Sequence, residues 1–284
     1  MTMRTSIYHL APILAAIVLL ITGPNPVHGQ WTESPGHGWL QVSLFHQDTQ
    51  RQFDSRGHVV QIFDEGHAIN TSLYLTGAVG LFRGLDTWIQ VPYHRLQYID
   101  VAGDRVRRGL GEPKVFLRIS PQLFGVQPVP VALRGGIKFP RELDVDAEII
   151  PLGEGQRDWE LMLELGHSFY PAPVYIQGWI GYRWRLINTR IDRKPGDEIF
   201  GFFAAGGSLG SFTWKFAVEG FRGKPPRIFG LPIESDRREF FQLLPKIGWD
   251  IGPGTVELGA QIPLLGRQLP AGPSLTLGYF FTWQ

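Results

Sequence analysis

The chain has no cysteine. That excludes a disulfide framework, a thiol nucleophile and a thiolate metal site. Charge of one sign is also missing: 27 Lys and Arg stand against 26 Asp and Glu. Such a balance gives no electrostatic footprint for nucleic acid. Beyond the first thirty residues no long apolar run occurs, so a helical membrane domain is excluded as well. No convincing helical period is found there, and neither HExxH nor CxxC occurs.

What the chain does have is glycine, at 35 residues, and aromatics, at 13%. Both suit turn-rich β structure. A length of 284 residues is long for an ordinary domain and normal for one barrel. Residues 1–29 read as a cleaved signal peptide: Arg4 supplies the positive start, Leu10 to Ile21 the apolar stretch, and Val27-His28-Gly29 the cleavage context. The alternative is a single membrane anchor, for which the apolar stretch is short against the ~20 residues of a spanning helix. Cleavage removes one Arg and no acid, leaving a neutral mature chain over 30–284.

From Trp39 onward, segments of period two recur between turn signals. They predict twelve strands, near 38–47, 66–79, 85–98, 110–122, 128–139, 156–170, 173–189, 198–207, 211–222, 238–249, 255–263 and 273–283. The connections alternate. Long ones fall near 48–65, 99–109, 140–155, 190–197, 223–237 and 264–272, and short ones near 80–84, 123–127, 171–172, 208–210 and 250–254. A soluble sandwich has no reason for this rhythm. A transmembrane barrel has one, because tight periplasmic turns occupy one rim and longer extracellular loops the other.

The alternation then acquires a solvent. Val256, Leu258, Ala260 and Ile262 interleave with Thr255, Glu257, Gly259 and Gln261. In a membrane barrel the apolar set faces lipid and the polar set the lumen. The final strand, LTLGYFFTWQ, places Leu275, Leu277, Tyr279, Phe281 and Trp283 on the lipid side and closes on the first strand. Its position resembles that of a C-terminal signal read by outer-membrane assembly machinery. Trp39, Trp88, Trp159, Trp184, Trp249 and Trp283 are expected as interface girdles. The fold class expected is all-β: a single antiparallel transmembrane β-barrel of about twelve strands in a Gram-negative outer membrane, reached by export through the periplasm.

Several segments resemble a known family. GLGEPKVFLRISPQLF (109–124) is similar to a GLGD-x-x-hLRhR segment, and VALRGGIKFP (131–140) to the hRhGhKhP that follows it. IPLGEGQRDWELMLELGHSFYPAPVYIQGWIGYRWR (150–185) resembles PLGxGQxDhExxhhhGxSF…hxxxhGYRxR, and LTGAVGLFRGLDTWIQVPYHRLQ (75–97) resembles hEYGLTDxLTLxhxhPYxxh. Departures are Ala78-Val79-Gly80 for Glu-Tyr-Gly and Glu112 for Asp. The family is that of Gram-negative outer-membrane barrels assigned as transporters and linked with the meta-pathway of phenol degradation. The resemblance spans roughly 38–284. It implies the barrel and its location, and passive uptake of small organic compounds.

The register assigns to the lumen Glu112, Lys114, Arg118, Arg134, Lys138, Asp158, Glu160, Glu164, Arg183, Arg185, Lys215, Glu219, Glu239, Lys246 and Glu257. Basic strands thus flank an acidic one, and strands ~4.8 Å apart let these groups pair sideways. Two readings follow. Either they form a salt-bridge lattice that stiffens the wall, or opposed charges at a constriction orient solutes. The expected function is a pore or passive transporter for small, including aromatic or organic, solutes. The alternative is a non-conducting structural or interaction barrel acting through its extracellular loops.

No catalytic residue, cofactor or resident metal is expected. His167-Ser168 is the adjacent pair of catalytic types, and neighbours on a strand point to opposite faces. Gly153-Glu154-Gly155-Gln156 precedes a strand, so it is not a helix-based phosphate cradle. Glu142, Asp144, Asp146 and Glu148 can be a solvated run or share a divalent cation. Arg222, Lys224, Arg227, Arg237 and Arg238 make an extracellular loop basic, either solvated or meeting lipopolysaccharide phosphates. The partners expected are outer-membrane lipid and lipopolysaccharide, the assembly machinery and a small-molecule solute, with no nucleic acid.

Overall fold

Alternation between apolar and small or polar residues makes a strand whose two faces need different surroundings. The computed structural model describes residues 32–62, 65–126, 129–141 and 150–284, and shows how the two faces are served. The signal peptide expected over 1–29 and the carboxylate run at 142–148 lie outside the described residues.

The wall strands are β1 (Gly38–Thr49), β2 (His67–Phe82), β3 (Leu85–Asp100), β4 (Gly103–Leu110), β5 (Lys114–Ile119), β6 (Val131–Lys138), β7 (Asp158–Ser168), β8 (Val174–Arg185), β9 (Glu198–Leu209), β10 (Phe212–Gly223), β11 (Glu239–Ile251), β12 (Gly254–Arg267) and β13 (Ser274–Trp283). Each pairs antiparallel with the next along the chain, except that β4 and β5 both pair with β3, on its two ends. They are one interrupted stave, so the wall has twelve. β13 returns to β1 in unbroken register from Gly38↔Trp283 to Gln47↔Ser274, which closes the barrel. Closure leaves no sheet edge to meet lipid.

Two expectations change. The stave expected at 110–122 is broken at 111–113, where Pro113 brings no N–H to the ladder and Gly111 instead donates to the Pro92 carbonyl at 2.8 Å. The loop expected at 99–109 is a tight turn at Val101–Ala102, because β3 and β4 continue as a hairpin. The loop rhythm otherwise holds. At the short-turn end Arg83-Gly84 joins β2 to β3, and Gly84 (φ +82°) packs so closely on Pro121–Phe124, a 3-10 turn, that a Cβ would lie 2.3 Å from the Leu123 nitrogen. At the long-loop end two small sheets form, one from 51–53, 59–61 and 269–270, the other from 193–194, 227–228 and 231–232.

The outward face is apolar and exposed, as at Ile180 (56%), Phe216 (50%) and Leu258 (50%), whereas Met162, Ala204 and Ala217 on the inward face are buried. This polarity is reversed from a soluble sheet and fits a lipid solvent outside. Leu275, Leu277 and Tyr279 of the closing strand face outward as expected. Trp159, Trp184 and Trp249 are likewise exposed on the outside. Trp39 and Trp88 are not girdle residues: they point inward and meet edge to face at 5.0 Å. A barrel of this width fills its interior with large side chains as well, so an aromatic ring is not bound to the lipid face.

Candidate functional site

The inward charges gather on one half of the wall, from β3 to β9. Inward residues two apart on a strand form tiers, and the β7–β8 register stacks them: Asp158↔Arg185, Glu160↔Arg183, Glu164↔Trp179 and Ser168↔Tyr175. The tier nearest the long loops is built around Lys138. Its ammonium donates to Glu112 at 2.6 Å and lies 3.0 Å from Asp158. Arg185 bridges Asp158 at 3.6 Å, Glu198 at 3.1 Å and Glu154. Arg238 also donates to Glu154, at 2.7 Å. The segment around 154 therefore folds inward.

That inward fold has an unexpected anchor. The Glu154 and Gly155 amides donate to Glu112 Oε1 at 3.0 and 2.8 Å. The glycine-rich segment is an anion cradle after all, without a helix, and its anion is the chain's own carboxylate.

One tier down, Glu160 Oε1 accepts from Lys114 at 3.0 Å and from Arg183 at 2.9 Å. Arg183 also binds Glu198. The next tier is aromatic. Arg134 pairs with Glu164 at 2.7 Å and lies 4.4 Å from the Trp88 ring, and 5.3 Å from both Phe116 and Trp179. Gly136 makes room: a Cβ there would sit 2.1 Å from the Phe116 ring. Trp179 stacks on Phe202 at 3.9 Å. Arg118 holds Asp86 at 2.5 Å, the latter with no exposed surface, and reaches Glu164 at 3.6 Å.

Residues 32–37 lie across the short-turn end of this lattice. The Glu33 amide donates to Asp86 Oδ2 at 2.9 Å, and the Thr32 and Ser120 hydroxyls meet at 3.3 Å. Burial pushes the Glu33 carboxyl above its ordinary value, against the opposing pull of Arg118.

The opposite half of the wall carries few charges. Lys246 donates to Glu257 at 2.8 Å, and Gln41 donates to the same oxygen at 2.6 Å. Glu219 accepts from Gln242 at 2.5 Å. Lys215 lies inward between Gly206 and Lys246. A cavity of about 600 Å³ opens here toward the short-turn end, lined by Tyr175, Lys215, Lys246, Glu257 and Phe280 among others.

Of the fifteen charges assigned to the lumen, Glu239 is on the other face. It pairs across the wall with Arg222 (3.1 Å) and Arg267 (3.4 Å) at the outer rim. Glu239 lies seven residues from Lys246, so alternation along β11 itself puts the two on opposite faces, and the irregularity at Phe241/Gln242 adds its extra residue to β12 without disturbing that parity. The other fourteen lie on the inward side. Inward charges that the sequence reading did not include are Asp86, Glu154, Glu198 and, from the basic loop, Arg238, with Asp100, Arg105 and Arg107 on the same parity where β3 and β4 run on toward the long loops. For Asp86 a signal existed, since it shares parity with Gln90 and His94, but Trp88 on the same face had been assigned to lipid.

A Ser–His contact also appears. Ser72 and His94 are register partners on β2 and β3, with Oγ and Nδ1 2.7 Å apart, and Ser72 donates to Asn70 Oδ1 at 2.6 Å. The amide sits on the serine rather than on the histidine, and Ser72 has no exposed surface. A nucleophile needs the base oriented by a third group and room for substrate. His167 and Ser168 stand on opposite faces of β7.

No protein-family model matches the chain, and no curated protein matches it. Among solved structures it is similar to an outer-membrane channel from Pseudomonas putida F1, at TM-score 0.74 and 14% identity over 90% of this chain and 98% of that one. It is also similar to the β domain of the Bordetella autotransporter BrkA (TM-score 0.50, 10% identity, 88% and 100% covered). The translocator domain of autotransporter NalP from Neisseria meningitidis matches at TM-score 0.50 and 10% identity, with 97% of each chain covered. The shared property is the outer-membrane β-barrel fold.

Proposed function

We propose that this barrel is a pore or passive transporter for small solutes in a Gram-negative outer membrane, with its short turns in the periplasm and its long loops outside. The observation that carries the reading is the asymmetric lumen. One half-wall is a paired lattice of charge, and the other carries few charges and opens a cavity of about 600 Å³ lined in part by small side chains such as Ser208, Thr213 and Thr255. Opposed charge across a narrow path orients polar solutes without a bound cofactor. The fourteen inward charges, Glu112 to Glu257, would then set selectivity. Small organic compounds, aromatic ones included, are the proposed cargo, favoured by the inward rings of Trp39, Trp88, Trp179 and Phe280.

Export through the periplasm, insertion by the assembly machinery through the closing strand, and contact of the outer rim with lipopolysaccharide belong to the same proposal. The outward Arg222 and Arg267 support the last of these. The test is current across a planar bilayer holding the refolded mature chain. Discrete, salt-dependent steps are expected, with ion selectivity altered by Glu160→Lys or Arg183→Glu. A silent record from a barrel that keeps its heat-shifted gel mobility would favour the filled, structural barrel instead. A hydrolase reading rests on Ser72 and His94 alone; covalent labelling of Ser72 by a fluorophosphonate would revive it, and none is expected.

A further inference from the structure

Lys215 is an exception to the pairing of the lumen. Its neighbour Lys246 has Glu257, whose Oε2 already accepts from both Lys246 and Gln41. The next acid on its own face, Glu219, is four residues away, about 13 Å along a strand, and is hydrogen-bonded to Gln242. Among the described residues Lys215 has no carboxylate partner, whereas the neighbouring lattice binds each of its cations to at least one. Two ammonium groups directly opposite each other on adjacent strands repel. One carboxylate between them leaves an uncompensated positive charge facing the cavity.

The surroundings of that charge are specific. The Tyr175 ring lies across Gly206, the strand partner of Lys215, so that a Cβ on Gly206 would meet the phenol oxygen at 2.5 Å. The Tyr175 hydroxyl has no hydrogen-bond partner among the described residues, so it is a second free donor beside the ammonium. The Phe280 ring, packed on Trp39 at 5.5 Å, supplies an apolar wall. The cavity, about 600 Å³, falls within the roughly 300–1,000 Å³ of small-molecule sites.

We infer that Lys215, with Tyr175, forms a subsite for a small organic anion, a carboxylate carried on a flat apolar body. An ammonium and a phenol converge on the carboxylate as charge-assisted and neutral donors, and Phe280 and the Tyr175 ring face the apolar part. The inference rests on the pore reading only for how the anion arrives. It deepens that reading by naming the class of solute.

The test is calorimetric titration of the detergent-folded barrel with benzoate, and with benzyl alcohol as its neutral counterpart. Saturable benzoate binding is expected, with benzyl alcohol about tenfold weaker, the size of a hydrogen bond to a charged group. Lys215→Met should weaken benzoate about tenfold, Lys215→Arg should preserve it, and Glu239→Gln, on the outer face, should leave it unchanged. Absence of benzoate binding, equal binding of benzoate and benzyl alcohol, or benzoate binding indifferent to Lys215 would overturn the proposal. Folding is checked by heat-shifted gel mobility, and Lys215→Gln replaces Lys215→Met if the latter does not fold. Lys215-dependent binding in a barrel that carries no current would remove the pore reading and leave the subsite standing. An active pore with Lys215-independent binding would do the reverse.

Discussion

Replacing Glu160 by Gln isolates one ion of the lumen lattice. Its carboxylate is 6% exposed and accepts from Lys114 at 3.0 Å and Arg183 at 2.9 Å. Arg183 keeps Glu198 after the change, but Lys114 loses the carboxylate it is paired with. Removing one partner of a buried pair costs about 3–5 kcal/mol, because the other charge stays desolvated. Lys114 keeps 25% of its side-chain surface, so water offsets part of the loss, and the expectation falls to about 2–3 kcal/mol. Deleting both charges in Glu160→Gln/Lys114→Met removes that penalty, and the double variant should lose only about 1 kcal/mol. Urea unfolding of the barrel in lipid vesicles, followed by tryptophan fluorescence, measures both. If the single variant costs less than about 0.5 kcal/mol, as surface pairs do, the lattice is bathed in water and not buried. If the double variant costs as much as the single one, the pair does not behave as a couple.

Other outcomes follow from the same geometry. Arg134→Lys keeps the charge but loses the planar group among Trp88, Phe116 and Trp179, and should cost about 1–2 kcal/mol in the same unfolding assay. Glu112→Gln weakens the anion held by the Glu154 and Gly155 amides, so the inward segment should loosen and single-channel current should rise; an unchanged current would mean that this segment does not narrow the path. Burial raises the Glu33 carboxyl above 4.5, so docking of residues 32–37 favours the protonated form, is fully stabilised below that value and weakens as pH climbs past it. Proteolysis at this segment should therefore be faster at pH 7 than at pH 4.5, and Glu33→Gln should flatten the difference.

Most of the wall was legible in the sequence because lipid and lumen impose opposite demands at every second residue. Asp158, Glu160, Met162 and Glu164 against Trp159, Leu161 and Leu163 leave one register open, and the structure adopts it. The closing strand was legible for the same reason. Parity misleads where a side chain suits both solvents. Glu239, seven residues from the inward Lys246, belongs by alternation to the outer face, where the structure places it, and Trp88 concealed Asp86 because an indole packs equally well on lipid or over an arginine. The Ser72–His94 contact needed the cross-strand register, which neither segment carries alone. Glu154 and Arg238 belong to connections, whose path back into the barrel is set by tertiary partners such as Glu112 and not by any local period.

The seam between β1 and β13 joins the two ends of the described chain, so it has the greatest sequence separation of any pairing in the wall. Long-range pairings form slowly, because the loop between them must be closed first. A latch depends on this seam. The Trp283 indole donates to the Gly36 carbonyl at 3.0 Å, and the Gly36 amide in turn donates to Gly80 on β2 at 2.9 Å. On the inside the Trp39 ring of β1 packs on Phe280 of β13 at 5.5 Å, across the same seam. Neither the Trp283–Gly36 nor the Trp39–Phe280 contact exists in a curled but open sheet. Time-resolved fluorescence from Trp39 and Trp283 is thus a built-in clock for assembly, marking the instant the ribbon becomes a cylinder rather than the earlier growth of its hairpins.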